Sequence, residues 1–203
     1  MTNVLRGADA ERRDPTGTIR RISVARVLQA LVLGACALSV GVAAAFGVVS
    51  VAVMALVLLG LVLARLVATP ASLVALSGTV LLVAAWASVF DLYSRIGWLD
   101  LAVHASATGA LAAMGTSALR RTGILSAPGS SSTLVLSTTA LVVGLALGVL
   151  WEVGEWAGHT YVDGDIGVGY EDTIGDLVAG GAGAALAGVL VARRRNTSRD
   201  ATR

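Results

Sequence analysis

Three pairs of polar side chains stand out in a chain that is otherwise poor in them. Asp100 and His104 are spaced i,i+4, Glu152 and Glu155 i,i+3, and Asp172 and Asp176 again i,i+4, so on helices each pair shares one face. Together they supply five carboxylates and one imidazole. An oxygen-dominated ligand set with a single nitrogen suits Mg²⁺, Mn²⁺, Ca²⁺ or a carboxylate-bridged pair of ions, and suits Zn²⁺ where the histidine leads the coordination. The candidate metal ligands are Asp100, His104, Glu152 and Asp176, which leaves Glu155 or Asp172 as a general base for a metal-activated water. Plainer roles exist for most of them. Asp100 and Asp172 also suit helix N-termini, where a carboxylate accepts from exposed N–H groups. Glu152 and Glu155 also suit the exit of a helix into water, and a lone histidine also suits a packed, hydrogen-bonded position. Asp176, one turn inside an apolar segment, is the hardest to explain without a partner. Five ionised carboxylates in one partly desolvated place would repel severely, so bound cations, shared protons or Arg95 must offset them.

The elements that position these residues follow from composition. Of 203 residues, 56% are hydrophobic and only 14% charged, against roughly a quarter charged in soluble domains, and the mean hydropathy is +0.80. This is the composition of an integral membrane protein. A helix needs roughly 20 apolar residues to cross the hydrocarbon core, and the spacing of charges supplies such runs. Arg26 to Arg65 encloses 38 uncharged residues, enough for two short spans hinged near Ala45, Phe46 and Gly47. Runs of 25, 19, 30 and 16 residues follow, ending at Asp91, Arg120, Glu152 and Arg193. The expectation is an all-α polytopic protein with six transmembrane helices, near 27–45, 48–66, 72–90, 99–119, 133–156 and 173–192. Residues 1–26 form an Arg-rich N-terminal tail, 27–192 the membrane domain and 193–203 a C-terminal tail.

Orientation comes from the arginines, since short basic loops stay in the cytoplasm. With both termini cytoplasmic, 14 of the 15 basic residues, all arginine, fall on the inner side, and only Arg95 lies outside. The pI of about 9.2 is then a topology signal and not the mark of a nucleic-acid partner. Nine of the 13 acidic residues and all nine aromatics fall on the outer side or in the outer half of the spans. An aromatic belt normally marks both interfaces, so an outer mouth that is both anchored and chemically specialised is expected. The alternative that residues 1–45 are a cleaved secretory signal would leave the five later spans in the same orientation.

Several chemistries are excluded. The single cysteine, Cys36, allows neither an intrachain disulfide nor a CxxC site. Asp163-Gly164-Asp165 opens like a calcium loop but places Gly167 and Val168 where the EF-hand pattern needs a ligand and a glycine, so residues 158–171 read as a solvated loop or a lid. Pro128, Gly129 and neighbouring serines make residues 122–132 a linker. Gly180, Gly181, Gly183 and Gly188 in the last span are the small residues that let helices approach closely. Walker, nucleophile-elbow and HExxH motifs are absent from the sequence.

The order Trp98-x-Asp100-x-x-x-His104, Trp151-Glu152-x-x-Glu155-Trp156 and Tyr170-x-Asp172-Thr173-x-x-Asp176-Leu177 resembles the YjdF-like family of small polytopic bacterial inner-membrane proteins. The likeness runs over residues 65–190, while the first two spans match in hydrophobicity only. It implies a multi-pass fold in a bacterial plasma membrane and importance for these positions, and it supplies no reaction. The resulting expectation is a lipid-embedded protein with an outward-facing carboxylate and histidine cluster that holds a divalent cation (Mg²⁺, Mn²⁺ or Zn²⁺). The leading role is a metal-dependent enzyme acting on a lipid-linked or other extracytoplasmic substrate. A cation- or proton-coupled small-molecule transporter and a structural or partner-binding module are the alternatives.

Overall fold

The computed structural model describes residues 23–126, 129 and 132–200, and the described residues are helical with no strand. Seven helices follow in order: α1 (Val24–Ala43), α2 (Val48–Leu66), α3 (Ala71–Val89), the single turn α4 (Leu92–Arg95), α5 (Leu99–Arg121), α6 (Thr133–Tyr161) and α7 (Tyr170–Asp200). Each expected span has its helix. Five are long and apolar enough to cross a membrane: α1 with the turn after it, α2, α3, α6, and α7 through Arg193. The exception is α5. At 23 residues it is long enough, but Asp100, His104 and a scatter of serine and threonine lower its apolarity. The N-terminal tail before residue 23, and with it about half of the alternative signal segment 1–45, lies outside the described residues, as do residues 127, 128, 130 and 131 of the expected 122–132 linker and the last three residues.

Helix ends depart from the apolar runs where charge does not stop a helix. α6 continues past Glu152 and Glu155 to Tyr161 before Val162 breaks from helical geometry, so five residues expected in a loop are helical. α7 starts at Tyr170 instead of Thr173, and it runs through the arginines after Ala192 to Asp200, because arginine is a good helix former. The expected hinge is present as a 3-10 turn, Ala44–Phe46, followed by Gly47 at φ +106°, a backbone state open to glycine and strained for other residues. That one residue reverses the chain between α1 and α2.

Two three-helix groups make up the bundle. α1, α2 and α3 pack on one another, α5, α6 and α7 do the same more extensively, and α3 against α5 joins the groups. In the first group large side chains interlock: Cys36, Leu61 and Val74 are buried with Met114 of α5, and Met54 with Ala43 and Ala85. Phe46, Trp86 and Phe90 form an aromatic cluster at one end, with Trp86 and Phe90 stacked at 5.3 Å, and the Trp86 indole N–H donates to Ser39 Oγ (3.1 Å). In the second group the shared core is Ala112, Ala140 and Ala184. A Cβ on Gly183 would collide with the Ala105 carbonyl, one on Gly109 would lie 2.9 Å from the Gly183 oxygen, and one on Gly188 would lie 2.6 Å from Ser137 Cα. Backbones therefore touch, as small residues permit. These contacts set the directions: α5 and α7 run parallel and touch, and α6 packs antiparallel against both.

Candidate functional site

With that arrangement the first turns of α5, the last turns of α6 and the first turns of α7 meet at one end of the bundle. Asp100 stands in the first turn of α5 and His104 one turn later. Asp176 is six residues into α7, only 4% exposed. His104 Nε2 lies 3.6 Å from Asp100 Oδ1 and 3.6 Å from Asp176 Oδ2. Both separations exceed hydrogen-bond length. Asp176 Oδ1, also buried, has no hydrogen-bond partner. One ligand atom from each of the three residues lies within 4.8 Å of the other two. For comparison, ligands on a tetrahedral Zn²⁺ at about 2.0–2.1 Å are about 3.4 Å apart, and ligands opposite each other across Ca²⁺ at 2.3–2.6 Å are about 5 Å apart. The three side chains are thus spaced as ligands around one point and not as a hydrogen-bonded triad.

A cavity of about 10 Å³ adjoins them, lined by His104, Asp176, Glu152, Thr108 and Gly180 among others. That is room for about one water or one small ion. Glycine makes the room and the closeness together. A Cβ on Gly180 would lie 2.9 Å from Thr108 Oγ1, and one on Gly144 would strike the Ala184 side chain.

The fourth expected ligand, Glu152, lines the same cavity but stands outside the three-residue group. Its Oε2 accepts a hydrogen bond from the Thr173 hydroxyl (2.8 Å), which ties the end of α6 to the start of α7. Sequence reading missed Thr173, although its place between Asp172 and Asp176 on a helix was a usable signal. Glu155 lies close enough to Glu152, Asp176 and Asp100 to feel their charge. Asp172, exposed in the first turn of α7, acts likewise on Asp100 and Asp176. All six expected residues therefore gather at this end, three in ligand geometry, one beside them and two in the surrounding charge.

Arg95 does not supply the offsetting charge directly. It pairs with Asp91 at 4.0 Å on the exposed α4 turn. That turn instead contributes Tyr93, whose hydroxyl donates to the Ala84 carbonyl (2.7 Å). Burial first, then the nearby Asp100 and Glu155, push the Tyr93 phenol up to about 12. His159 stands apart from the cluster: its Nδ1–H donates to the Ile166 carbonyl (2.7 Å). The Asp165 amide donates to Asp163 Oδ1 (3.0 Å), an Asx turn. The stretch between α6 and α7 is exposed along most of its length, as expected of a solvated loop, and is pinned back on α6 with Ile166 against Gly158.

Comparison with known proteins gives one match. The model of a family described as "Predicted membrane protein (DUF2238)" covers residues 21–197, which takes in α1 to α6 and all but the last three residues of α7. No curated protein and no solved structure shows significant similarity.

Proposed function

The chain belongs to the DUF2238 family of predicted membrane proteins, in keeping with its likeness to the YjdF-like proteins, and from that premise we propose a cation-dependent membrane enzyme. All six long helices span the bilayer of a bacterial plasma membrane, both termini are cytoplasmic, and the α5–α6–α7 site opens on the outer side. α5 counts as a span because His104 and Thr108 are turned to α7, with Asp100 beside His104, and an intramembrane acid is tolerated where it faces the bundle interior. A divalent cation, Mg²⁺, Mn²⁺ or Zn²⁺, is held by Asp100, His104 and Asp176, with Glu152 completing or adjoining the set. A cation held there would supply Lewis acidity and would make a neighbouring water more acidic, and Glu155 or Asp172 would serve as the general base for a lipid-linked or other extracytoplasmic substrate.

One observation supports this reading above the others. Asp176 is buried with an oxygen unpartnered, and the imidazole and carboxylates around it stand at ligand spacing without hydrogen-bonding each other. Buried polar atoms left so are rare and costly, and a cation between them would satisfy all three.

The test is elemental analysis of the detergent-purified chain beside Asp176→Asn and His104→Ala. Near-stoichiometric metal in the wild type, lost in both variants while they remain folded, is the expected result. A metal-free wild type after addition of Mg²⁺, Mn²⁺ and Zn²⁺, together with an Asp176→Asn variant of raised stability, would reject the site. In that case one negative charge fewer is simply less repulsion. For the topology, a reporter fused after Arg121 is expected in the cytoplasm, and a periplasmic location would invert every assignment.

A further inference from the structure

The polar cluster has a second, larger space beside it. Between the last turns of α6 and the first turns of α7 lies a cleft of about 480 Å³, within the range of small-molecule sites. Its lining falls into two levels. At the deeper one the Thr173 hydroxyl donates to Glu152 (2.8 Å), and both residues line the cleft. One turn further out stand Trp156, i,i+4 from Glu152 on α6, and Tyr170, three residues before Thr173 on α7. The helical repeat thus places two aromatic residues one level out from one carboxylate. Val153 and Ile174 flank them, and Val168 and Gly169 close one end.

Approach is from water. The outward end of the cleft is built from Val168 and Gly169, in the largely exposed stretch between α6 and α7, and from Tyr170, itself 83% exposed. In the proposed topology that end is extracytoplasmic, so an occupant enters polar end first and leaves its body between Trp156 and Tyr170. The charge at the bottom decides which polar end. Glu152 also lines the small cavity with Asp176 and His104, and Asp100, Glu155 and Asp172 act on the same group, so five carboxylates gather there. A divalent cation offsets at most two of them. The deep end therefore repels anions and attracts cations with metal or without it. A bare metal ion finds no oxygen ligands along Val153, Trp156 and Ile174, whereas an organic cation can cover those walls. Aromatic rings add to the preference, since their faces attract a positive charge, and Tyr161 packs edge-on against Trp156 (5.9 Å).

We propose that this cleft binds a free organic ammonium ion from the extracytoplasmic side, its nitrogen donating to Glu152 and its aryl or alkyl body held between Trp156 and Tyr170. The site adjoins the cation site at Glu152 and does not require it. A primary ammonium suits it best, because its N–H groups donate to a carboxylate in a charge-assisted bond while the positive charge lies beside the rings. Thr173 fixes that carboxylate at the junction of α6 and α7, so the nitrogen meets a group already placed, which lowers the cost of binding.

The full-length chain in detergent is titrated by equilibrium dialysis with phenethylammonium, with neutral phenethyl alcohol and with anionic hydrocinnamate, three similar bodies of different charge. Each titration is run with Mn²⁺ and again with a chelator, and elemental analysis counts metal separately. The ammonium is expected to bind about 10-fold more tightly than the alcohol in both conditions, as a charge-assisted hydrogen bond allows, and the carboxylate more weakly than either. Glu152→Gln is expected to remove that 10-fold advantage, and Trp156→Leu to weaken the ammonium about 5-fold, in line with a cation on an indole face. Equal binding of ammonium and alcohol by the wild type would overturn the proposal. So would ammonium binding that is unchanged in both folded variants. Displacement of the ammonium by an equal concentration of dioleoylphosphatidylethanolamine would assign the cleft to a lipid headgroup and overturn the free amine. A metal-free wild type that still binds the ammonium fails the cation reading alone, and a metal-loaded one that does not bind it fails this proposal alone.

Discussion

The two halves of the bundle are both three-helix groups, yet they are held together by opposite means. α1–α3 interlock Leu61, Val74, Met54 and Cys36, side chains that keep helix axes at an ordinary distance, about 8–10 Å. α5–α7 have alanine and glycine at their contacts, and backbone meets backbone at Gly183 and Gly188. Every member of the polar cluster is in the second half. Aspartate and histidine side chains are short, and one from α5 meets one from α7 only where the helices nearly touch. Close approach is therefore a condition of the site, whereas the first half needs only to fill space.

The comparison can be broken most forcefully at Gly183. Gly183→Leu must push α7 off α5, and overpacking of about 3 kcal/mol or more is expected to abolish the folded protein as judged by size exclusion and thermal unfolding. A folded Gly183→Leu chain that still binds metal would end the argument that closeness makes the site. Next in size is Leu61→Ala in the first half. Only the cavity part of the usual penalty applies where lipid is the alternative solvent, so about 2 kcal/mol is expected, with metal affinity unchanged. Third, metal at 10 times its dissociation constant should stabilise the wild type by about 1.4 kcal/mol, seen as a raised Tm, and should not stabilise Asp176→Asn. Gly60 sits in open space within α2, so Gly60→Ala should leave stability unchanged or raise it by about 0.5–1 kcal/mol.

The smallest effect concerns Tyr93. Its phenol, raised to about 12, ionises near 10 in an unfolded chain, so its contribution to stability is complete below pH 10 and disappears as pH rises through about 12. The tyrosinate absorbance step missing from Tyr93→Phe should lie near pH 12, and a step near pH 10 would mean that the α4 turn does not pack against the site.

Much of this was legible because membranes impose a simple rule on charge. The distances between Arg26, Arg65, Asp91, Arg120 and Glu152 placed the helices within a few residues, and the i,i+4 spacing of Asp100 with His104 put them on the face that meets Asp176. Rotation of one helix about another is not written in spacing. Glu152 was therefore expected as an equal ligand, whereas it bonds Thr173 beside the group. Arg95 was a candidate partner for the acids, but its nearest acid, Asp91, is four residues away on the same turn. The fold-back of the stretch after α6, where His159 bonds the Ile166 carbonyl, is a tertiary detail with no periodic signature.

The parallel pairing of α5 with α7 also constrains how the protein can be made. α5 is the long helix that misses the apolarity of a span, and under the six-span proposal its polar face would have to be covered before it could lie among lipid. The face bearing Asp100, His104 and Thr108 is covered by α7, which is synthesised last. Until α7 arrives, α5 has nowhere dry to put that face. Under that proposal, stable insertion of the middle of the chain would wait for its end, and a nascent protein lacking the C-terminal helix would hold α5 at the membrane edge, without a site and open to proteolysis.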